Sequence, residues 1–244
     1  MKPVGKFILL LFISSICLPI PLGSADFRDF LRDIQDNISG VDSISENEII
    51  EGLKQALEIG TGNSVKMVSA LNGYYQNPEI RIPLPGSVQK VKKILLVAGY
   101  EEKVDAFELS MNRAAEQAAS SAKDLFLETI RHMTFSDARK ILNGRENEAT
   151  LYFEDKTRGQ LFEKFEPIVH STMSEVGVTR SYQDLNNRIK DIPFADPVNF
   201  DLDKYVTDKA LNGLFLMLAE EERKIRQDPA ARVTELLRKV FKGK

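Results

Sequence analysis

Apolar positions along most of this chain recur every three or four residues. Helix is therefore the dominant prediction, and no stretch alternates with the period of two that a half-buried strand needs. The clearest case is Glu101 to Met133, where a continuous stripe runs from Val104, Phe107 and Met111 through Ala114, Ala115, Ala118 and Ala122 to Leu125, Phe126, Thr129, Ile130 and Met133. Alanine in its middle lets a neighbouring helix approach closely, and Ser120-Ser121 marks a place where it can break. A second helix, Asp203 to Gln227, is apolar around its whole circumference between Ala210 and Ala219. It is expected at the centre of a bundle, with Gly213 permitting a tight crossing.

Capping and breaking residues divide the rest. Ser45 with Glu48 has the capping-box spacing and opens a helix to about Glu58, where Gly60-Thr61-Gly62-Asn63-Ser64 reads as a stop rather than a phosphate cradle. Thr134 with Asp137 opens a short helix that Asn143-Gly144 ends. Asp228-Pro229 opens a last one, carrying Val233, Leu236, Leu237, Val240 and Phe241 on one face. Prolines keep two segments, Asn77–Pro85 and Ile192–Pro197, largely extended, as apolar straps packed across helix faces. The expected architecture is all-α, one domain of about nine or ten helices over residues 44–244 with two proline-bearing straps. Residues 26–43 form a peripheral segment, and two helical lobes meeting near Gly144 are the alternative arrangement.

The beginning of the chain reads as an address. Lys2 and Lys6 precede an apolar run from Phe7 to about Ile20, and Gly23-Ser24-Ala25 supplies the small residues of a cleavage site. Cleavage after Ala25 would remove 25 of 244 residues, leaving 219, and would take Cys17, the only cysteine, with it. Loss of Lys2 and Lys6 takes the formal charge from −3 to −5. The expected product is an exported, periplasmic, mildly acidic protein without disulfides and with no later transmembrane span. Its charge leaves no footprint for nucleic acid, and runs such as Glu220-Glu221-Glu222-Arg223-Lys224 read as solvated helix faces.

Most standard chemistry is missing. No G-x-S-x-G elbow, P-loop or G-x-G-x-x-G occurs. The two histidines, His132 and His170, are too few for a zinc site without added carboxylates, and His132 falls at the edge of the long stripe, as a half-buried core histidine does. Asp201-Leu202-Asp203 resembles the start of a calcium loop, but Tyr205 and Val206 follow where a ligand and glycine belong, so helix capping is the better reading. No catalytic residue, metal or cofactor is assigned. Glu108 is the informative exception: its place on the helical wheel lies inside the apolar stripe, where a carboxylate needs a partner. Arg81, between Ile80 and Ile82 in the first strap, is the expected partner, with Asn112 and Asp208 nearby at the edge of a ligand- or partner-binding surface. A buried pair would make Arg81→Ala or Glu108→Ala cost about 3 to 5 kcal/mol.

The segments Ile80-Arg81-Ile82-Pro83-Leu84-Pro85, Phe107 to Glu116, Tyr205 to Phe215 and Ile225 to Arg232 resemble the bacterial family called domain of unknown function 4197, over roughly Ile44 to Phe241. The resemblance implies an exported helical envelope protein and brings no activity, cofactor or catalytic residue. Asn212 stands where similar sequences carry aspartate, which argues against acid–base work there. The expected function is a non-catalytic periplasmic protein binding an apolar small molecule or an envelope partner protein. The alternative is a hydrolase of cell-wall glycans using Glu108 with Asp208 or Glu220, since glycosidases need only two carboxylates.

Overall fold

The computed structural model describes residues 46–86, 89, 96, 97, 99, 101–175 and 201–227. The chain divides into two compact units, Met1–Ser43 and Ile44–Lys244, and every described residue belongs to the second. The leader, Ser45, the second strap and the helix opening at Asp228-Pro229 lie outside the described residues.

Among the described residues six helices and no strand form: α1 Glu46–Ser69, α2 Glu101–Ala119, α3 Ala122–Arg131, α4 Phe135–Asn143, α5 Glu148–Glu175 and α6 Leu202–Gln227. The stripe from Val104 to Met133 is buried except for half-buried Thr129, but the helix breaks where the serines stand. The hydroxyls of Ser120 and Ser121 donate to the carbonyls of Gln117 and Ala118, which ends α2 one turn before α3 starts. His132 follows the end of α3 and is exposed, not half-buried. Thr134 and Asp137 close the capping box that opens α4.

One expectation is overturned in α1. Gly60 to Ser64 does not stop the helix, which continues to Ser69. Thr61 and Ser64 return their hydroxyls to Leu57 and Gly60 carbonyls at 2.7 and 2.8 Å, and a Cβ at Gly60 would press on the Ile225 side chain at 3.3 Å. The glycine is thus explained by close helix approach, not by termination. The true stop follows Ser69: Asn72 takes the left-handed conformation at φ 67, and a Cβ at Gly73 would collide with the carbonyls of Met67 and Val68.

Helix α6 is central, packed against α1, α2 and α5. It lies alongside α1 through Gly60 and Ile225, and Ser64 and Met217, and alongside α5 through Ala149 and Glu222, and His170 and Asp203. Phe126 of α3 meets Phe153 of α5 and Phe215 of α6 edge-on, with centroids 5.2 and 6.2 Å apart. Asn212 and Leu216 are the exposed members of the segment expected to be apolar all round. Gly213 does serve a tight crossing, but with the turn before the strap rather than with a helix: a Cβ there would stand 2.6 Å from Tyr74 and 3.0 Å from Ile80.

Candidate functional site

The first strap is shorter than its prolines suggest. Asn77 accepts from Glu79 through its side chain and from Ile80 and Arg81 through its carbonyl, which coils residues 77–80 into turns and leaves only Arg81–Pro85 extended. In that extended piece Ile82, Leu84 and Pro85 are buried while Arg81 and Pro83 face outward. An extended backbone against a helix has no ladder partner, so its buried amides need side chains. Asn112 of α2 supplies one: its carbonyl accepts the Ile82 N–H at 2.8 Å, and its amide donates to the carbonyls of Ile82 at 2.9 Å and Glu108 at 2.8 Å.

Arg81 and Glu108 pair as expected, Nε to Oε1 at 2.8 Å. The guanidinium also lies over the Tyr75 ring, 4.4 Å from its centroid. The Tyr205 hydroxyl donates to the Pro83 carbonyl at 3.0 Å, and burial, with the Glu108 charge second, raises its pKa. Asp208 is held elsewhere. It faces Arg158 of α5 at 3.8 Å, and the same guanidinium bonds Asn212 at 2.7 Å and Glu154 at 2.9 Å. The strap thus brings together Arg81, Glu108 and Asn112 and adds Tyr205, whose ring gave no signal in the sequence beyond its place on α6.

The burial expected for the pair fails on one side, because the Arg81 side chain is 41% exposed against 12% for Glu108. Water screens such a pair, so each alanine substitution should cost about 1 kcal/mol, not 3 to 5. The double substitution should cost less than the sum of the singles. Strict additivity in urea denaturation would show that the 2.8 Å contact carries no energy in solution.

The carboxylates that are truly buried are others. Glu116 accepts the N–H groups of Tyr74 and Tyr75 and binds Arg113 at 2.5 Å, holding the turn that follows α1. Together with burial, its charge drives the Tyr74 phenol far above its usual range. Glu221 and Glu222, inside the run expected to be solvated, are each only 8% exposed. Glu221 bonds Asn63 and Lys224. Glu222 reaches across to the start of α5, accepting from the N–H groups of Ala149 and Thr150 at 3.0 and 2.9 Å and from the Thr150 hydroxyl at 2.9 Å, and pairs with Arg226 at 2.8 Å. A carboxylate at a helix N-terminus is favoured by the macrodipole. The wheel argument that found Glu108 does not reach Glu116, which stands about 120° from the middle of the stripe, and only the α5–α6 crossing reveals Glu222.

Beside that ion pair lies an apolar cleft of about 370 Å³, its open mouth included. Leu53, Ala56, Leu57 and Gly60 of α1 form one wall, Leu218 and Ile225 of α6 the other, and Ile141 and Ala149 lie at the end. Thr61, Glu222 and Arg226 are its polar lining, and each already bonds within the protein. The room it encloses is only about 30 Å³, far below the ~300–1,000 Å³ usual for small-molecule sites, so it is an open groove and not a preformed pocket.

Where α5 meets the start of α6, His170 Nδ1 stands 2.6 Å from Asp203 Oδ2, and Asp201 caps α6 through the Lys204 N–H at 3.0 Å. The Asp203 hydrogen bond and charge raise the His170 pKa. A raised pKa means that the pair stabilises the fold fully below the unfolded value and loses this as pH rises through the folded one. An NMR titration should place the His170 midpoint above that of an ordinary histidine and return it in Asp203→Asn; an unchanged midpoint in that variant would refute the assignment. Among the described residues no three His, Cys, Asp or Glu side chains are grouped to hold a metal ion, and no helix is long and apolar enough to cross a membrane.

The family model described as protein of unknown function (DUF4197) matches residues 43–242. No curated protein and no solved structure matches the chain.

Proposed function

The chain belongs to the DUF4197 family, and we propose that it is a non-catalytic, exported binding protein of the periplasm that takes an uncharged apolar group into the cleft between α1 and α6. The group belongs to a small molecule or to an envelope partner. One observation carries the reading: the cleft wall is apolar, and among the described residues its only charged members, Glu222 and Arg226, are already bonded to each other and to backbone. An entering ligand therefore finds surface to bury and no charge free to meet its own.

The glycan-hydrolase alternative gains no support from the arrangement of its carboxylates. Glu108 is tied to Arg81, Asp208 faces Arg158, and Glu220 pairs with Arg223. Each of these carboxylates is already engaged by a cation of the protein itself.

Two experiments test the reading. The uncharged fluorescent probe N-phenyl-1-naphthylamine should bind the mature protein with one saturable site, and Leu57→Arg should abolish binding while leaving the helical circular dichroism unchanged. Binding that survives Leu57→Arg would place the site elsewhere. Export is tested separately: N-terminal sequencing of envelope protein should begin at Asp26-Phe27-Arg28, and a start at Met1 would refute the cleavage.

A further inference from the structure

The two faces of α4 differ in kind. Ala138 and Ile141 are buried, and Ile141 lines the end of the α1–α6 cleft. The exposed residues of the helix are Phe135, Ser136, Arg139, Lys140 and Asn143, and none of them is acidic. They share an arc of ~140° on the helical wheel. The Phe135 ring is 41% exposed, with the Arg139 guanidinium 4.8 Å from its centroid. The flanks extend the charge: between Arg131 and Arg145 the chain sets Arg131, Arg139, Lys140 and Arg145 against Asp137 alone, although its formal total is −3. The neighbouring carboxylates do not cancel this excess. Asp137 is tied into the capping box of its own helix, buried Glu148 serves Lys140 at 3.7 Å and Arg145 at 3.3 Å together, and Glu146 accepts from Gln227 of α6. Both the Lys140 and the Arg145 side chains stay mostly exposed.

We propose that the outer face of α4, with Arg131 and Arg145 beside it, docks on an anionic phospholipid surface. The complementarity is local. At ~0.1 M salt charges more than ~10 Å away are largely screened, so the cations around α4 meet the membrane and the chain's negative total does not. The ring gives the surface its second half: cations meet headgroup phosphates while an exposed phenyl group enters the boundary of the acyl chains, as in segments that lie in the membrane interface. A dissolved phosphate would use the cations and leave the ring in water. Docking in this way sets the Ile141 end of the cleft about one helix diameter, ~10 Å, from the bilayer, where an apolar ligand can pass between the two. That last consequence rests on the cleft being the binding site; the docking does not.

Protein purified from its own envelope should sediment with vesicles of equimolar phosphatidylglycerol and phosphatidylcholine at ~0.1 M salt, and far less with phosphatidylcholine alone. A Lys or Arg at such a surface is worth about fivefold in partitioning, so Arg139→Gln with Lys140→Gln should weaken binding roughly 25-fold. At ~1 M salt, where the Debye length is ~3 Å, that difference should vanish. Phe135→Ser should weaken binding at both salt concentrations, because burial of the ring is not screened. Lys66→Gln with Lys164→Gln removes the same charge from exposed sites ~20 Å along α1 and α5 from Leu53 and Ala149 of the cleft, and should change binding little. Equal losses in the two double variants, no preference for anionic vesicles, or binding indifferent to Phe135→Ser would each overturn the docking. So would its abolition by inorganic phosphate at unchanged ionic strength, which would mark a site for a dissolved anion. The two readings fail separately: Leu57→Arg should lose N-phenyl-1-naphthylamine and keep the vesicles, whereas Arg139→Gln with Lys140→Gln should lose the vesicles and keep the probe.

Discussion

Glu222→Ala should destabilise the protein by about 3 to 5 kcal/mol, the cost of removing one member of a buried ion pair. The carboxylate serves three donors at the start of α5 as well as Arg226, and no other acceptor for the Ala149 and Thr150 amides stands among the described residues. After its removal the Arg226 guanidinium, whose side chain is 14% exposed, loses its carboxylate partner on α6 and keeps its bond to the Ile141 carbonyl. Glu222→Gln retains an acceptor of the same size and should recover roughly half of the loss, since hydrogen bonds to a charged group are about twice as strong as neutral ones. Urea denaturation measures both, as a fall in midpoint at unchanged slope. A loss below about 1 kcal/mol for the alanine would mean that α5 finds its N-terminal partners elsewhere.

Asn112→Leu is the second large effect, at about 3 kcal/mol. The substitution preserves volume but leaves the N–H and the carbonyl of Ile82 without partners in a buried strap. Each orphaned backbone group costs ~1–3 kcal/mol. The distinguishing readout is local: amide exchange at Ile82 and Leu84 should accelerate well beyond what the fall in global stability explains. Exchange that merely follows global stability would show that the strap is held by its apolar side chains and not by Asn112.

What the sequence made legible follows from how long each signal persists. The stripe from Val104 to Met133 keeps one face against the core for about eight turns, so its period survives even the break at Ser120-Ser121. Helix α5 shows the opposite case. Seven of its ten buried residues, Ala149, Phe153, Thr157, Leu161, Phe165, Val169 and Met173, are spaced by strict fours, a line that drifts ~40° around the helix at each step. No fixed face accumulates apolar residues, and Pro167 adds a false stop, so this helix was not delimited from pattern. In α1 the glycines that read as a terminator exist for a neighbour, Ile225, that only tertiary structure supplies.

The candidate site was legible in the same uneven way. The Arg81–Glu108 pair could be found because a charge inside an apolar pattern is conspicuous, and it formed at 2.8 Å. Its exposure could not be read, because flanking isoleucines in an extended strap point to the other side of the chain. Glu221 and Glu222 were hidden by the charged residues around them. The cleft itself is assembled from α1, α4, α5 and α6, and no local pattern announces a surface made by four helices.

The central claim, that the α1–α6 cleft holds an apolar group, is tested most directly by native mass spectrometry of the protein purified from its own envelope, with Leu57→Arg beside it. The wild-type chain should carry a stoichiometric apolar molecule or an envelope partner, and Leu57→Arg should emerge bare with an unchanged charge-state envelope. A bare wild-type chain, or a passenger carried equally by Leu57→Arg, would contradict it.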